Sequence, residues 1–222
     1  MRFVFLIFCK DYAGAGVTKW HPYIRSRIDQ EKAAMSFADD NFSVAVLELP
    51  YIFGTQPGRK PVWMFIAEQV RNSKGSIMYP TGGSTMVTVH QVGQALAGAL
   101  EHTKGGQCFP IGWYNMSWNE MLTIMKKYMG CPEKKIKTVP KFLFNLGTKS
   151  MLKQQKKNNI EGGLYMPRLC DIQYGELYIN KNLGSVPLGV TEDDIDAAIG
   201  DSMKLCAAIL DGKARTIGMK GE

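Results

Sequence analysis

The sequence predicts an α/β protein, a parallel sheet interleaved with helices and extended by a smaller, mostly helical lobe. Three observations carry that expectation. Residues 3–8, Phe-Val-Phe-Leu-Ile-Phe, form an unbroken apolar run, the pattern of a strand covered on both faces. A helix over 22–38 is followed by a second apolar run at 42–49, and such a strand–helix–strand order makes a parallel crossover. Beyond residue 110 the helical signals dominate, so the chain divides into a sheet-bearing part, 1–110, and a lobe with a closing helix, 111–222.

The elements follow in order. The stretch 11–20 contains Gly14 and Gly16 and reads as a loop. Pro22 suits a first helical turn, and Asp39-Asp40-Asn41 ends the helix. After the strand at 42–49, the loop 50–59 carries Gly54, Pro57 and Gly58 and leaves a strand's carboxyl end, where α/β sheets place ligands. There Arg59 or Lys60 could meet a phosphate or carboxylate, or the loop is simply solvated. Residues 62–73 read as a helix, 76–79 as a strand, 80–84 as a tight turn, 86–89 as a strand and 90–102 as a helix. A strand at 107–111 precedes the best-marked helix, with Ser117 and Glu120 as a capping box, Gly130 as its stop and Pro132 beyond. Its methionines, Met121, Met125 and Met129, read as core. A strand at 136–139, a helix at 140–157, an irregular stretch at 158–176, a strand at 177–179, a helix from Thr191 and Asp194 to Leu210, and a frayed tail complete the chain.

Composition excludes several classes. With 45% hydrophobic and 21% charged residues, the 222-residue chain is an ordinary folded protein rather than a disordered one. Its net charge of +7 permits polyanion binding, but the lysines at 134–157 lack aromatic interleaving or a nucleic-acid motif and read as a solvated face. The five cysteines and three histidines show no ligand spacing, so no metal is expected and the thiols are expected to be reduced. The apolar run at 3–8 is shorter than a signal-peptide core of about 7–15 residues, and no run approaches a membrane span. A cytoplasmic protein without nucleic-acid or membrane partners is expected.

The chemistry is concentrated at 21–31, His-Pro-Tyr-Ile-Arg-Ser-Arg-Ile-Asp-Gln-Glu. Tyr23 and Arg27 stand one helical turn apart on one face, and a cation there favours a phenolate over a phenol. That is a device for general acid–base work on a hydroxyl or carbonyl. The competing reading is a plain helix start with Tyr23 half buried and Arg25 and Arg27 solvated.

The surrounding residues add a resemblance. Tyr23, Ser26, Arg27 and Glu31 match the Y-x-x-S-K-x-x-x-E stretch of extended short-chain dehydrogenases/reductases, the group of NAD-dependent epimerases and dehydratases. Val44–Leu49 with Pro50-Tyr-Ile-Phe-Gly-Thr-Gln-Pro-Gly-Arg59 resembles that group's strand and loop after the catalytic helix. Met86-Val-Thr-Val-His-Gln-Val-Gly-Gln-Ala95 is similar to its V-H-V-x-D-V-A-x-A segment, with Gln91 in place of the acid, and Phe109-Pro-Ile-Gly followed by Met116-Ser-Trp-Asn-Glu resembles its N-I-G and S-x-x-E segments.

The resemblance implies a Rossmann-like core and an NAD(P)-dependent epimerase, dehydratase or reductase acting on a sugar nucleotide or a small hydroxy or keto substrate. It assigns Tyr23 as acid–base, Arg27 as its cation in place of lysine, and Ser26 as helper. Tyr23, Arg27, Pro50, Tyr51 and Ile52 would meet NAD or NADP, and Gly54, Thr55, Arg59 and Lys60 the substrate. Ile7, Phe8 and Cys9 stand where the family has a hydroxyl, for which Thr18 or Ser26 could substitute.

No G-x-G-x-x-G or related turn follows a strand anywhere in the sequence, although a dinucleotide site needs one. A carboxy-terminal part lacking the nucleotide-binding half is therefore expected, inactive alone, with a bare edge at 3–8 that a partner half or a second copy would cover. Two alternatives are a non-catalytic binding or regulatory module on the same fold and an incomplete reading frame.

Overall fold

The computed structural model describes residues 1–8, 17–159 and 165–217. Strand β1 (Arg2–Phe8), helix α1 (Val17–Trp20), helix α2 (Pro22–Met35) and strand β2 (Ser43–Leu49) open the chain. Strand β3 (Tyr51–Phe53), helix α3 (Met64–Asn72), β4 (Ser76–Tyr79), β5 (Gly83–Thr88), α4 (Val89–His102) and β6 (Gly106–Pro110) follow. Then come β7 (Tyr114–Ser117), α5 (Trp118–Tyr128), β8 (Lys135–Thr138), α6 (Lys141–Lys157), α7 (Leu169–Gln173), β9 (Glu176–Leu177) and α8 (Ile195–Leu210).

The architecture is α/β and Rossmann-like. β1, β2 and β6 form a parallel sheet in that order, with Val4 opposite Ala45 and Val46 opposite Cys108. Because successive side chains of a strand point to opposite faces, β2 serves two cores at once. Val44 and Val46 pack under α2 with Ala34, Met35 and Ala38, while Ala45, Leu47 and Leu49 pack under α4 with Ala95 and Ala99. Both faces being apolar, the sequence of β2 shows no alternation.

A second sheet, β3–β5–β7 with β9 on β5, carries the larger core. Phe53, Trp63, Ile66, Trp118, Met121, Met125, Ile199 and Met203 fill it, so the α5 methionines are core as expected. The capping box of α5 is formed by Ser117 and Glu120, and hydrogen bonds from the Ser117 hydroxyl and amide hold the Glu120 carboxyl below its usual range. A second capping box, Thr88 with Gln91, begins α4, and Gln91 also donates to the Thr191 carbonyl at 2.9 Å.

Several expectations are corrected. Residues 17–20 are a short helix rather than loop, and Cys9, Gly14 and Gly16 lie outside the described residues. Tyr51–Phe53 is a strand because it finds a parallel partner in Met86–Thr88. β5 begins at Gly83, inside the expected turn, since Gly83–Met86 pairs antiparallel with β7, a strand the sequence did not announce. Within 158–176, a 3-10 turn at Met166–Arg168 leads into α7. The start of the tail is not frayed: the Ile217 amide donates to the Gly58 carbonyl at 2.8 Å.

β1 reads as doubly covered, yet Phe3 and Leu6 are 46% and 42% exposed. Among the described strands β1 pairs only with β2, so it is an edge, and beside it Phe3, Phe5, Ala33, Ala34, Phe37 and Phe42 line an apolar groove of about 430 Å³.

The close approach of α4 to the segment carrying Leu188 depends on Gly98. A Cβ there would lie 1.9 Å from the Leu188 carbonyl oxygen, whereas Gly93 on the same helix has open space. Gly98→Ala is expected to destabilise the chain by about 1–3 kcal/mol through overpacking. Gly93→Ala is expected to stabilise it by up to about 1 kcal/mol through helix propensity. Urea unfolding midpoints of the two variants check both signs.

Candidate functional site

α2 begins with Pro22 in its first turn and His21 as an extended N-cap whose side chain makes no capping bond. The helix ends before Ser43 starts β2, so its carboxyl end lies at the amino end of the parallel sheet. Its first turns therefore stand at the carboxyl edge, the ligand side of α/β sheets.

The structure brings Tyr23 and Arg27 together. The guanidinium carbon lies 4.8 Å from the centre of the Tyr23 ring, a cation–π contact with both residues half buried. Arg27 is thus neither a freely solvated side chain nor a simple copy of a lysine ammonium. Ser26 is exposed, and its hydroxyl donates to the Tyr23 carbonyl at 2.7 Å, a bond back onto its own helix. The side chains of Ile7, Phe8 and Thr18 lie outside the described residues.

A residue the motif did not single out completes this group. His21 is 2% exposed, its ring 6.4 Å from that of Tyr23 and 5.6 Å from that of Trp20. Burial lowers its pKa from the ordinary histidine value, because a desolvated imidazolium is costly. Trp20 in turn packs 5.8 Å from Tyr165, and the Arg168 guanidinium lies 4.1 Å from its ring. A run of aromatic and basic side chains therefore connects α2 to the turn before α7. The only sequence signal was the dipeptide Trp20-His21 placed directly before the tyrosine helix.

Beneath α2 lies a second group that spacing could not reveal. Ligand-capable atoms of Glu31, Glu48 and Cys108 all lie within 4.8 Å of one another, and the Cys108 thiol donates to Glu31 at 3.1 Å. Three separate elements supply them. Because Val46 pairs with Cys108, Cys108 and Glu48 share the sheet face that α2 covers. An acid within an otherwise apolar strand was its one mark in the sequence.

The loop residues have other surroundings. Pro50 is buried, and Tyr51 packs against Trp63 at 5.1 Å and Trp118 at 5.4 Å, where burial raises its phenol to about 12. The Ile52 carbonyl accepts from the Trp63 indole at 3.0 Å. Gly54 has φ +135° and exchanges hydrogen bonds with the Ser202 hydroxyl, its amide donating and its carbonyl accepting, each at 3.0 Å. With Thr55 it lines a 180 Å³ cavity shared with Thr88, His90, Asp193 and Asp201, whereas Arg59 and Lys60 are exposed. In that cavity the Thr88 hydroxyl donates to Asp193 at 2.5 Å, which lowers the Asp193 pKa, and His90 lies 3.4 Å from the same carboxylate. The structure thus places Tyr23 and Arg27 in one group and Gly54 and Thr55 in another, against α4 and α8.

Among the described residues, no helix is long and apolar enough to cross a membrane, and Cys131, Cys170 and Cys206 are free thiols.

No protein-family model and no curated protein matches the sequence. Solved structures do match. The chain is similar to a nucleoside-diphosphate-sugar epimerase from Pseudomonas aeruginosa, with 12% identity and a TM-score of 0.63 over 96% of this chain and 67% of that one. It is similar to the UDP-glucose 4-epimerase of Bifidobacterium longum, solved with NAD+ and UDP, with 15% identity and a TM-score of 0.55 over 86% of this chain and 56% of that one. RMD from Pseudomonas aeruginosa, complexed with NADPH, gives 12% identity and a TM-score of 0.58 over 93% and 66%. The chain therefore has the fold of these proteins while spanning roughly three fifths of their length.

The lowered pKa of His21 has a consequence for stability. Above the unfolded value of 6.5 the imidazole is neutral in both states and costs nothing. As pH falls below that value the unfolded chain takes up the proton first, so stability is lost until the folded value is passed. Unfolding free energies measured from pH 7.5 to 5 are expected to decline, and His21→Asn is expected to flatten the decline. The carboxylates with lowered pKa, Glu120, Asp193, Asp196 and Asp211, lose their contribution only at more acidic pH.

Proposed function

We propose that this chain is the substrate-side part of an NAD(P)-dependent epimerase, dehydratase or reductase acting on a sugar nucleotide or a related hydroxy or keto compound. The observation that carries the reading is the pairing of Tyr23 with Arg27 on a helix whose first turns stand at the carboxyl edge of a parallel sheet. A tyrosine there can give a proton to a carbonyl oxygen or take one from a hydroxyl. Arg27 keeps the charge of a lysine but meets Tyr23 through its ring face, so the proton-transfer step is expected to differ from that of a lysine enzyme. The neighbours solved with NAD+ and UDP or with NADPH support the cofactor and substrate class.

NAD or NADP would supply hydride transfer. Tyr23 and Arg27 would face it from α2, and Gly54, Thr55, Arg59 and Lys60 would serve the substrate by analogy of position. Since the sequence holds no glycine-rich dinucleotide turn, the nucleotide would be held chiefly by another polypeptide segment. The open edge of β1 is the place for it, because a parallel strand there would cover Phe3 and Leu6 and satisfy the unpaired backbone. A cytoplasmic setting fits the free thiols of Cys131, Cys170 and Cys206.

Calorimetric titration of the folded chain with UDP-glucose tests the substrate reading. Saturable binding in the micromolar to millimolar range is expected, weakened several-fold by Arg59→Ala combined with Lys60→Ala. Absence of binding to a chain that unfolds cooperatively would contradict it.

A further inference from the structure

Around the first turns of α2, three buried nitrogen atoms lack hydrogen-bond partners: Trp20 Nε1, His21 Nδ1 and Arg27 Nε. Two of them can only donate, and the third can donate in one tautomer. Leaving such groups dry and unpaired is costly, so three in one neighbourhood indicate something that the protein itself does not provide. They are linked through ring contacts, Trp20 to His21 to Tyr23 to Arg27, within two turns of chain.

The electrostatics of the neighbourhood select the kind of group that would pair with them. α2 is 14 residues long, its N-cap side chain makes no capping bond, and its first turn contains no acidic residue, so the positive end of its dipole is not countered there. Arg27 adds a full charge at 4.8 Å from the Tyr23 ring. Arg168, stacked on Trp20, has its own partner in Asp171 at 2.8 Å and is not counted toward the site.

We infer that the amino-terminal end of α2 binds an oxyanion, a carboxylate or phosphate group, which accepts hydrogen bonds from Trp20 and His21 and is balanced by the charge of Arg27. Its place beside Tyr23 makes it the anionic group of the molecule on which Tyr23 acts. That last step rests on the functional reading given above, whereas binding of the oxyanion does not.

The experiment is a proton–nitrogen NMR titration of the chain with inorganic phosphate and, separately, with acetate, at constant ionic strength. The indole signal of Trp20 and the imidazole signals of His21 are followed, with the exposed His90 and His102 as internal references. Saturable movement of Trp20 and His21 alone is expected, with affinity reduced roughly tenfold or more in Arg27→Met. Saturation by phosphate only, or by acetate only, supports the site and identifies its source. The Trp20→Phe variant, read at His21, and His21→Phe, read at Trp20, give two independent checks should either disturb folding.

Movement of all three histidines together, or an affinity unchanged in Arg27→Met, would overturn the inference in favour of diffuse attraction to a +7 chain. No movement with either anion would overturn it in favour of ordered water on these nitrogen atoms. UDP-glucose binding can succeed or fail independently of these outcomes, so the two readings are separable.

Discussion

The structure depends on the burial of one strand. Val44, Ala45, Val46 and Leu47 are almost completely inaccessible, which requires cover on both faces of β2 and a parallel neighbour on each side. Parallel neighbours cannot be joined by tight turns, so helices must carry the chain back across the sheet. α2 and α4 do this on opposite faces, while α3, α5 and α8 build the separate core of the second sheet. Full burial of each large aliphatic side chain contributes about 1.5–3 kcal/mol, so this strand holds the frame more firmly than any surface ion pair. The same geometry delivers the start of α2 to the ligand edge of the sheet.

Much of this was legible because local chemistry and tertiary demand agree. Ser117 and Glu120 mark the start of α5, Gly130 its end, and the run 42–49 marks β2, all without a partner in view. What escaped were features that arise only by pairing. β7 exists because β5 offers it an antiparallel partner, and Tyr51–Phe53 becomes a strand through Met86–Thr88. The candidate site divides in the same way. Tyr23 and Arg27 follow from helical spacing, whereas the packing of Trp20 against Tyr165 and Arg168, and of Glu31 with Glu48 and Cys108, joins residues distant in sequence.

Two places along α2 pose complementary physical problems. At the edge of the parallel sheet, β1 presents unpaired backbone and apolar side chains beside a groove made with α2. At the head of α2, three buried nitrogen atoms have no hydrogen-bond partner. Both are costs in the chain as it stands, and both are relieved by the same kind of event, occupation by something outside it. In this reading a strand of a nucleotide-binding half completes the edge, and a substrate completes the head of the helix. Tyr23 belongs to the head of the helix, in its first turn.

In this reading the dinucleotide is not held by these 222 residues alone. Titrating the purified chain with NADH and NADPH, with energy transfer from its four tryptophans to the nicotinamide as the signal, tests this most directly. The account predicts no saturable transfer from a cooperatively folded chain. Saturable binding in the micromolar range would contradict it, because it would require a complete dinucleotide site within the chain.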